Sequence, residues 1–178
     1  MFHPGTQKLI GYWSSLADGR APLRADFDVA EVSELMPRLF VLTRAERLTY
    51  RLAGEMLRDL YGRTVKGTGF LDGFSAPARP LAQRSALQSV REGAPVVLIA
   101  MGRTELAREV ALEITVAPLL SPSGAPDRLV GLVQPTTPLA RLAGQPLREI
   151  AIRMAVAPEP RPGQPRLRLA AVDGRRIA

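Results

Sequence analysis

Between Tyr50 and Phe74 the apolar pattern of this chain changes its period, and that change restricts what can be built around it. Tyr50, Leu52 and Ala53 suit a strand entering a core, Gly54 permits a sharp turn, and Met56, Leu57, Leu60 and Tyr61 recur as one helical face. Gly62 stops that face. Gly67, Gly69 and Gly73 then surround Phe70, Leu71 and Phe74, a composition that predicts a glycine-hinged connection lying over a sheet and able to wall a pocket.

The remaining segments supply the sheet. Leu39 to Thr43 and Leu48 to Ala53 read as a hairpin across a polar reversal at Arg44 to Arg47. Val96 to Met101 is continuously apolar, as expected of a central strand covered on both faces. Val110, Leu112, Ile114 and Val116 alternate with Ala111, Glu113, Thr115 and Ala117, the clearest period of two in the chain, and Arg128 to Gln134 returns after the turn at Ser121 to Asp127. Helices are predicted from about Gln7 to Ala17, from the Asp28 N-cap to Pro37, and from Pro80 to Glu92. In the last of these Ala82, Ala86 and Val90 make a flat face with Leu87 beside them. Two strands, several helices and three strands imply an α+β fold, one antiparallel sheet of five strands with helices on one face. Ile150, Ile152 and Met154 alternate like another strand, and Pro158 to Pro165, with four prolines, reads as an extended or disordered linker.

With 178 residues, 46% of them hydrophobic, the chain has room for one domain and its extensions. There is no cysteine, which excludes disulfides, thiolate zinc sites, cysteine nucleophiles and cysteine-linked chromophores. No window approaches the roughly 20 apolar residues of a membrane span, and no basic-then-apolar leader opens the sequence; a soluble, cytoplasmic protein is expected. The formal charge is +7, and of 24 basic residues only Lys8 and Lys66 are lysines. The arginines are scattered, which reads as solvated faces; a nucleic-acid-binding role through Arg161, Arg166, Arg168, Arg175 and Arg176 of the tail is the alternative.

Tyr12 and Trp13 on the first helix, Arg24 with Asp26 and Asp28, Leu35 to Pro37, and Arg51 to Gly54 form a joint pattern over Leu9 to Pro135. It resembles a bacterial family of small, largely stand-alone PAS-like proteins, and the element order resembles the PAS fold. The resemblance implies a sensory or regulatory interaction module: an N-terminal helix and lead at 1–22, a PAS-like domain at 23–137, and a partly disordered extension at 138–178.

PAS domains as a group bind haem, flavin, other chromophores or metabolites, or act by dimerisation alone. Histidine-ligated haem needs a pocket imidazole, yet the one histidine, His3, precedes the first helix and reads as a mobile terminal residue. Glu55 and Asp59, four apart with Arg58 and Arg63 as neighbours, read as a solvated helix side, and Asp72 adds little to a catalytic reading. The expectation is therefore a non-enzymatic module without cofactor that binds a signalling partner, acts as a homodimer, and holds at most a small apolar ligand. Candidate pocket walls are Leu57, Tyr61, Phe70, Phe74, Leu87, Met101 and Ile114, with Tyr61, Thr64 or Thr115 offering a hydrogen bond; that each of these side chains simply fills the core is at least an equal alternative. Leu9, Trp13 and Leu16 make the apolar face of the first helix, suited to packing on its own domain or, as a candidate interface, on a second protomer.

Overall fold

The computed structural model describes residues 1–18, 20–44, 47–158 and 167–170. Among the described residues seven strands form one antiparallel sheet: β1 (Leu39–Arg44), β2 (Leu48–Ala53), β3 (Val96–Thr104), β4 (Glu109–Leu120), β5 (Pro126–Pro135), β6 (Leu147–Pro158) and β7 (Leu167–Ala170), in the spatial order β2-β1-β5-β4-β3-β6-β7. The first five strands have the arrangement expected from the sequence. The count is corrected upward, because β6 pairs along β3 from Thr104↔Leu147 to Val97↔Val156 and β7 then pairs with the end of β6. Its alternation explains why β6 joins: Ile150 and Ile152 point into the core while Ala151 and Arg153 face water. The boundary expected at residue 137 therefore falls between two strands of a single sheet. The linker expected at Pro158 to Pro165 lies, apart from Pro158 itself, outside the described residues.

Strand alternation splits the apolar side chains between the faces of the sheet. On the inner face Phe40, Leu98, Leu112, Ile114, Leu129 and Ile150 pack against α2 (Glu55–Tyr61), the 3-10 turn Phe70–Gly73 and α3 (Arg79–Glu92). On the outer face Leu39, Ala117, Leu119, Val130 and Leu132 pack against α1 (Pro4–Ser15) and the segment Val29–Arg38. Helical cover on both faces lets β4 and β5 bury almost their whole length.

Val29–Arg38 is 3-10 rather than α, kinked at Val32 (φ −126°), with Pro37 inside and the Asp28 carboxylate accepting the Ala30 N–H as N-cap. Proline at 37 removes a backbone donor near the end of the segment, which stops at Arg38 and passes into β1. The first helix begins at Pro4, three residues earlier than its apolar spacing suggests, because His3 caps it and proline is tolerated at the first helical position. His3 is thus half-buried and hydrogen-bonded, in place of the mobile terminus expected.

Candidate functional site

The cover of the inner face starts at Gly54. Its backbone, φ −66° and ψ 162°, is one any residue adopts, so the glycine is not required by a turn. The requirement is space: a Cβ here would lie inside van der Waals distance of the Met36 and Pro37 carbonyl oxygens, where the segment Val29–Arg38 passes directly against the backbone. The Gly54 N–H also donates to the Leu39 carbonyl at 2.7 Å, tying the start of α2 to the start of β1.

From there α2 buries Leu57 and Leu60, and Gly62 ends it in the left-handed region (φ 62°). The chain returns along the free edge of β2: Tyr50 N–H donates to Thr68 O at 3.0 Å, and Gly67 N–H to Tyr50 O at 2.7 Å. The Asp72 carboxylate then accepts the Gly69 N–H at 2.9 Å and folds the 3-10 turn that delivers Phe70 and Phe74. Their rings close a chain of contacts with β1 and β2: Phe40 to Tyr50 at 5.5 Å between centroids, Tyr50 to Phe70 at 5.9 Å, Phe40 to Phe70 at 5.8 Å and Phe70 to Phe74 at 5.2 Å. Mostly edge-to-face, these are favourable quadrupole geometries, and they fill the space between α2 and the sheet with aromatic rings. Beyond Phe74 the Ser75 N–H donates to Ile150 O at 2.9 Å, so the cover is stitched to β6.

Two phenols meet where the cover joins the sheet, Tyr50 from β2 and Tyr61 from α2. Burial pushes Tyr50 well above the usual phenol range, reinforced by the charge that Tyr61 would carry and by its hydrogen bond. Burial also takes Tyr61 up to about 12, against the pull of its hydrogen bond with Tyr50. Both stay neutral and able to donate at physiological pH.

Of the expected pocket residues, Leu57, Phe70, Phe74 and Ile114 meet in the inner core, with Tyr61 at its margin. Leu87 and Met101 do not join them. Leu87 is 43% exposed, because α3 turns Ala82, Ser85, Ala86 and Ser89 to the sheet and carries Leu87 past that face. Met101 alternates out of phase with Leu98 and Ala100 and stands half-buried on the outer face; a continuously apolar strand hides its own phase from a sequence reader. Phe40, Tyr50, Ser89 and Ile150 are among the inner-face residues missing from that expected set. Ser89 Oγ donates to Ala94 O at 2.7 Å and lies 3.2 Å from Val116 O, which seats α3 on the sheet. The alternation of Leu39 to Leu42, the strand pattern at Tyr50 and the alternation of Ile150 with Ile152 mark the others.

On the outer face Leu9 and Trp13 are wholly buried, and the Trp13 indole N–H donates to Pro118 O at 2.8 Å. Two of the three residues expected as a candidate interface are thus taken up by the protein's own sheet, with Leu16 half-buried at the end of α1. Thr115, expected near the pocket, points the same way and is fully buried with its hydroxyl unpartnered, whereas Thr64 is exposed. Glu55 and Asp59 are exposed beside Arg58, at 3.0 and 3.7 Å. Among the described residues no three His, Asp or Glu side chains group as metal ligands. An open cleft of about 460 Å³ lies away from the aromatic cover, between the β3–β4 turn (Glu105, Leu106) and Gln145 to Arg148.

A strand order of 2-1-5-4-3 with helices crossing the inner face defines the PAS class of α+β domains, which are sensory and regulatory modules. The chain belongs to the PAS domain family, whose family model matches residues 1–134. No curated protein sequence matches it. Among solved structures it is similar to a light-oxygen-voltage domain studied with a flavin analogue (12% identity, 65% of this chain and 88% of that one, TM-score 0.51). It is also similar to the dark state of the light-oxygen-voltage domain of the blue-light photoreceptor aureochrome 1 (11%, 66% and 88%, TM-score 0.51). An RNA-binding light-oxygen-voltage receptor matches with 12% identity over 65% of this chain and 35% of that one, TM-score 0.50. At these identities the likeness is one of fold.

Flavin-adduct and haem chemistry do not fit the residues present. The sequence has no thiol to form an adduct, its one imidazole caps α1 on the outer face, and Phe40, Tyr50, Phe70 and Phe74 occupy the inner face with their own rings.

Proposed function

We propose that this protein is a non-enzymatic PAS regulator that works by protein–protein contact, with a second copy of itself as its first partner. The observation that carries this reading is the half of the outer face that α1 leaves open. α1 packs over β4 and β5, while Ile99 and Met101 of β3 stand half-buried and Met154 of β6, paired with Ile99, is 37% exposed. The two edges of the five-stranded PAS sheet are meanwhile engaged by this chain, β2 at Tyr50 by Gly67 to Gly69 and β3 by β6, so strand addition at those two positions meets chain already in place, whereas the half-open face meets none among the described residues. Movement of the cover after Gly54, driven by a small apolar ligand that displaces the packed rings of Phe70 and Phe74 from Leu57 and Ile114, would be felt at the outer face through the sheet. Sedimentation of the wild type and of a Met101→Glu, Met154→Glu variant tests the reading: a wild-type dimer that the folded variant loses supports it, and a strict wild-type monomer overturns it. Native mass spectrometry of the purified protein reads any ligand mass in the same sample.

The formal charge of +7 favours nucleic-acid binding as a second reading. Its mark is affinity that falls steeply with salt through counterion release, and no binding at low salt ends it.

A further inference from the structure

The first turn of α1 rests on the only histidine in the chain. His3 is the N-cap, and its Nδ1 accepts the Gly5 N–H at 3.0 Å. N-caps are ordinarily Ser, Thr, Asp or Asn, whose oxygens accept over the whole neutral range, whereas an imidazole nitrogen accepts only while it carries no proton. The His3 backbone N–H donates to both oxygens of Glu113 at 3.1 Å, placing a carboxylate at the positive end of the helix. Glu113 is buried, 7% exposed as a residue, and its strand partner Gln134 is 3% exposed, with Thr6 and Thr115 fully buried and their hydroxyls unpartnered.

We propose that His3 is a proton-operated latch for α1. A proton on Nδ1 removes the acceptor and sets a new N–H against the Gly5 N–H, and a positive ring at a helix N-terminus opposes the dipole. The ring must leave the cap. Glu113 of β4 is the charged group that draws the imidazolium, and once engaged with the ring it releases the His3 backbone N–H. Arg38, whose guanidinium donates to Gln134 Oε1 of β5 at 2.5 Å, repels it from the other side. Lys8, on α1 itself, is held by Glu34 at the surface. The first turn then lifts from Gln134 and Glu113, and water reaches the unpartnered hydroxyls of Thr6 and Thr115. The latch concerns how α1 is held and stands whether or not the protein dimerises.

Hydrogen exchange of the full chain at about pH 8 and about pH 5, the interval in which imidazoles titrate, tests it when rates are corrected to protection factors. The wild type is expected to lose about five-fold of the protection at the start of α1 at the lower pH, the equivalent of roughly 1 kcal/mol of cap, while β4 is unchanged. His3→Asn, whose amide oxygen caps without titrating, is expected to keep α1 equally protected at both values, and His3→Ala to show the loosened helix at both. A wild type with unchanged α1 protection overturns the proposal, as does the same loss in His3→Asn, which would assign it to Glu113. A loss shared by β4 also overturns it, since that is general acid unfolding.

Discussion

Gly54→Ala isolates a close backbone approach from every other role of a glycine. At φ −66° and ψ 162° alanine meets no dihedral strain, and a shorter list of unfolded conformations would by itself stabilise by about 0.4–1 kcal/mol. Against this the methyl group enters the Met36 and Pro37 carbonyls, which are backbone atoms and cannot rotate aside. Overpacking of this kind costs about 1–3 kcal/mol, and parting the two segments also strains the 2.7 Å bond from Gly54 N–H to Leu39 O, about 1 kcal/mol more. The net expectation is a loss of about 2 kcal/mol, read as a fall in Tm of about 4–8 °C for a domain of this size. Thermal melts followed by far-UV circular dichroism and by Trp13 fluorescence measure it. Gly11→Ala is the paired control, because nothing lies within 4 Å of a Cβ at that helical position, and it is expected to stabilise by about 0.5–1 kcal/mol. Equal effects of the two substitutions, or a Gly54→Ala protein as stable as wild type, would refute the argument from close approach.

Phe74→Ala is expected to cost about 3–5 kcal/mol in chemical denaturation, whereas Leu87→Gln on the solvent side of α3 should stay within about 0.5 kcal/mol. Comparable losses would return Leu87 to the core. Trp13→Phe keeps an aromatic ring on the outer face but strips Pro118 O of the indole N–H, and a loss of about 1–3 kcal/mol is expected by the same assay. The buried phenols make stability fall with alkali. Their folded pKa values lie above the unfolded one near 10, so their contribution is complete below about pH 10 and disappears as pH rises toward about 12. Melts across that window should show the decline, and Tyr61→Phe should reduce it; a variant with the wild-type slope would count against the assignment.

Periodicity and punctuation determined much of this protein without any tertiary information. The alternation from Val110 to Val116 located β4, the stop at Gly62 located the end of α2, and the joint pattern from Tyr12 to Gly54 located the family, because these signals depend only on neighbours a few residues apart. The four residues Leu57, Phe70, Phe74 and Ile114 were legible as core for the same reason. Contacts across long separations were not legible. The phase of Val96 to Met101 is silent in sequence, since every side chain is apolar, and only pairing with β4 and β6 sends Leu98 inward and Met101 outward. Gly54 reads as a hinge until the passage of Met36 and Pro37 is seen, and His3 reads as a loose end until Gly5 and Glu113 close on it. The tertiary structure likewise decided that Leu9 and Trp13 cover the outer face and that β6 completes the sheet. Apolar side chains declare that they will be buried, but which surface buries them is settled by the fold, where packing and hydrogen bonding between distant segments compete.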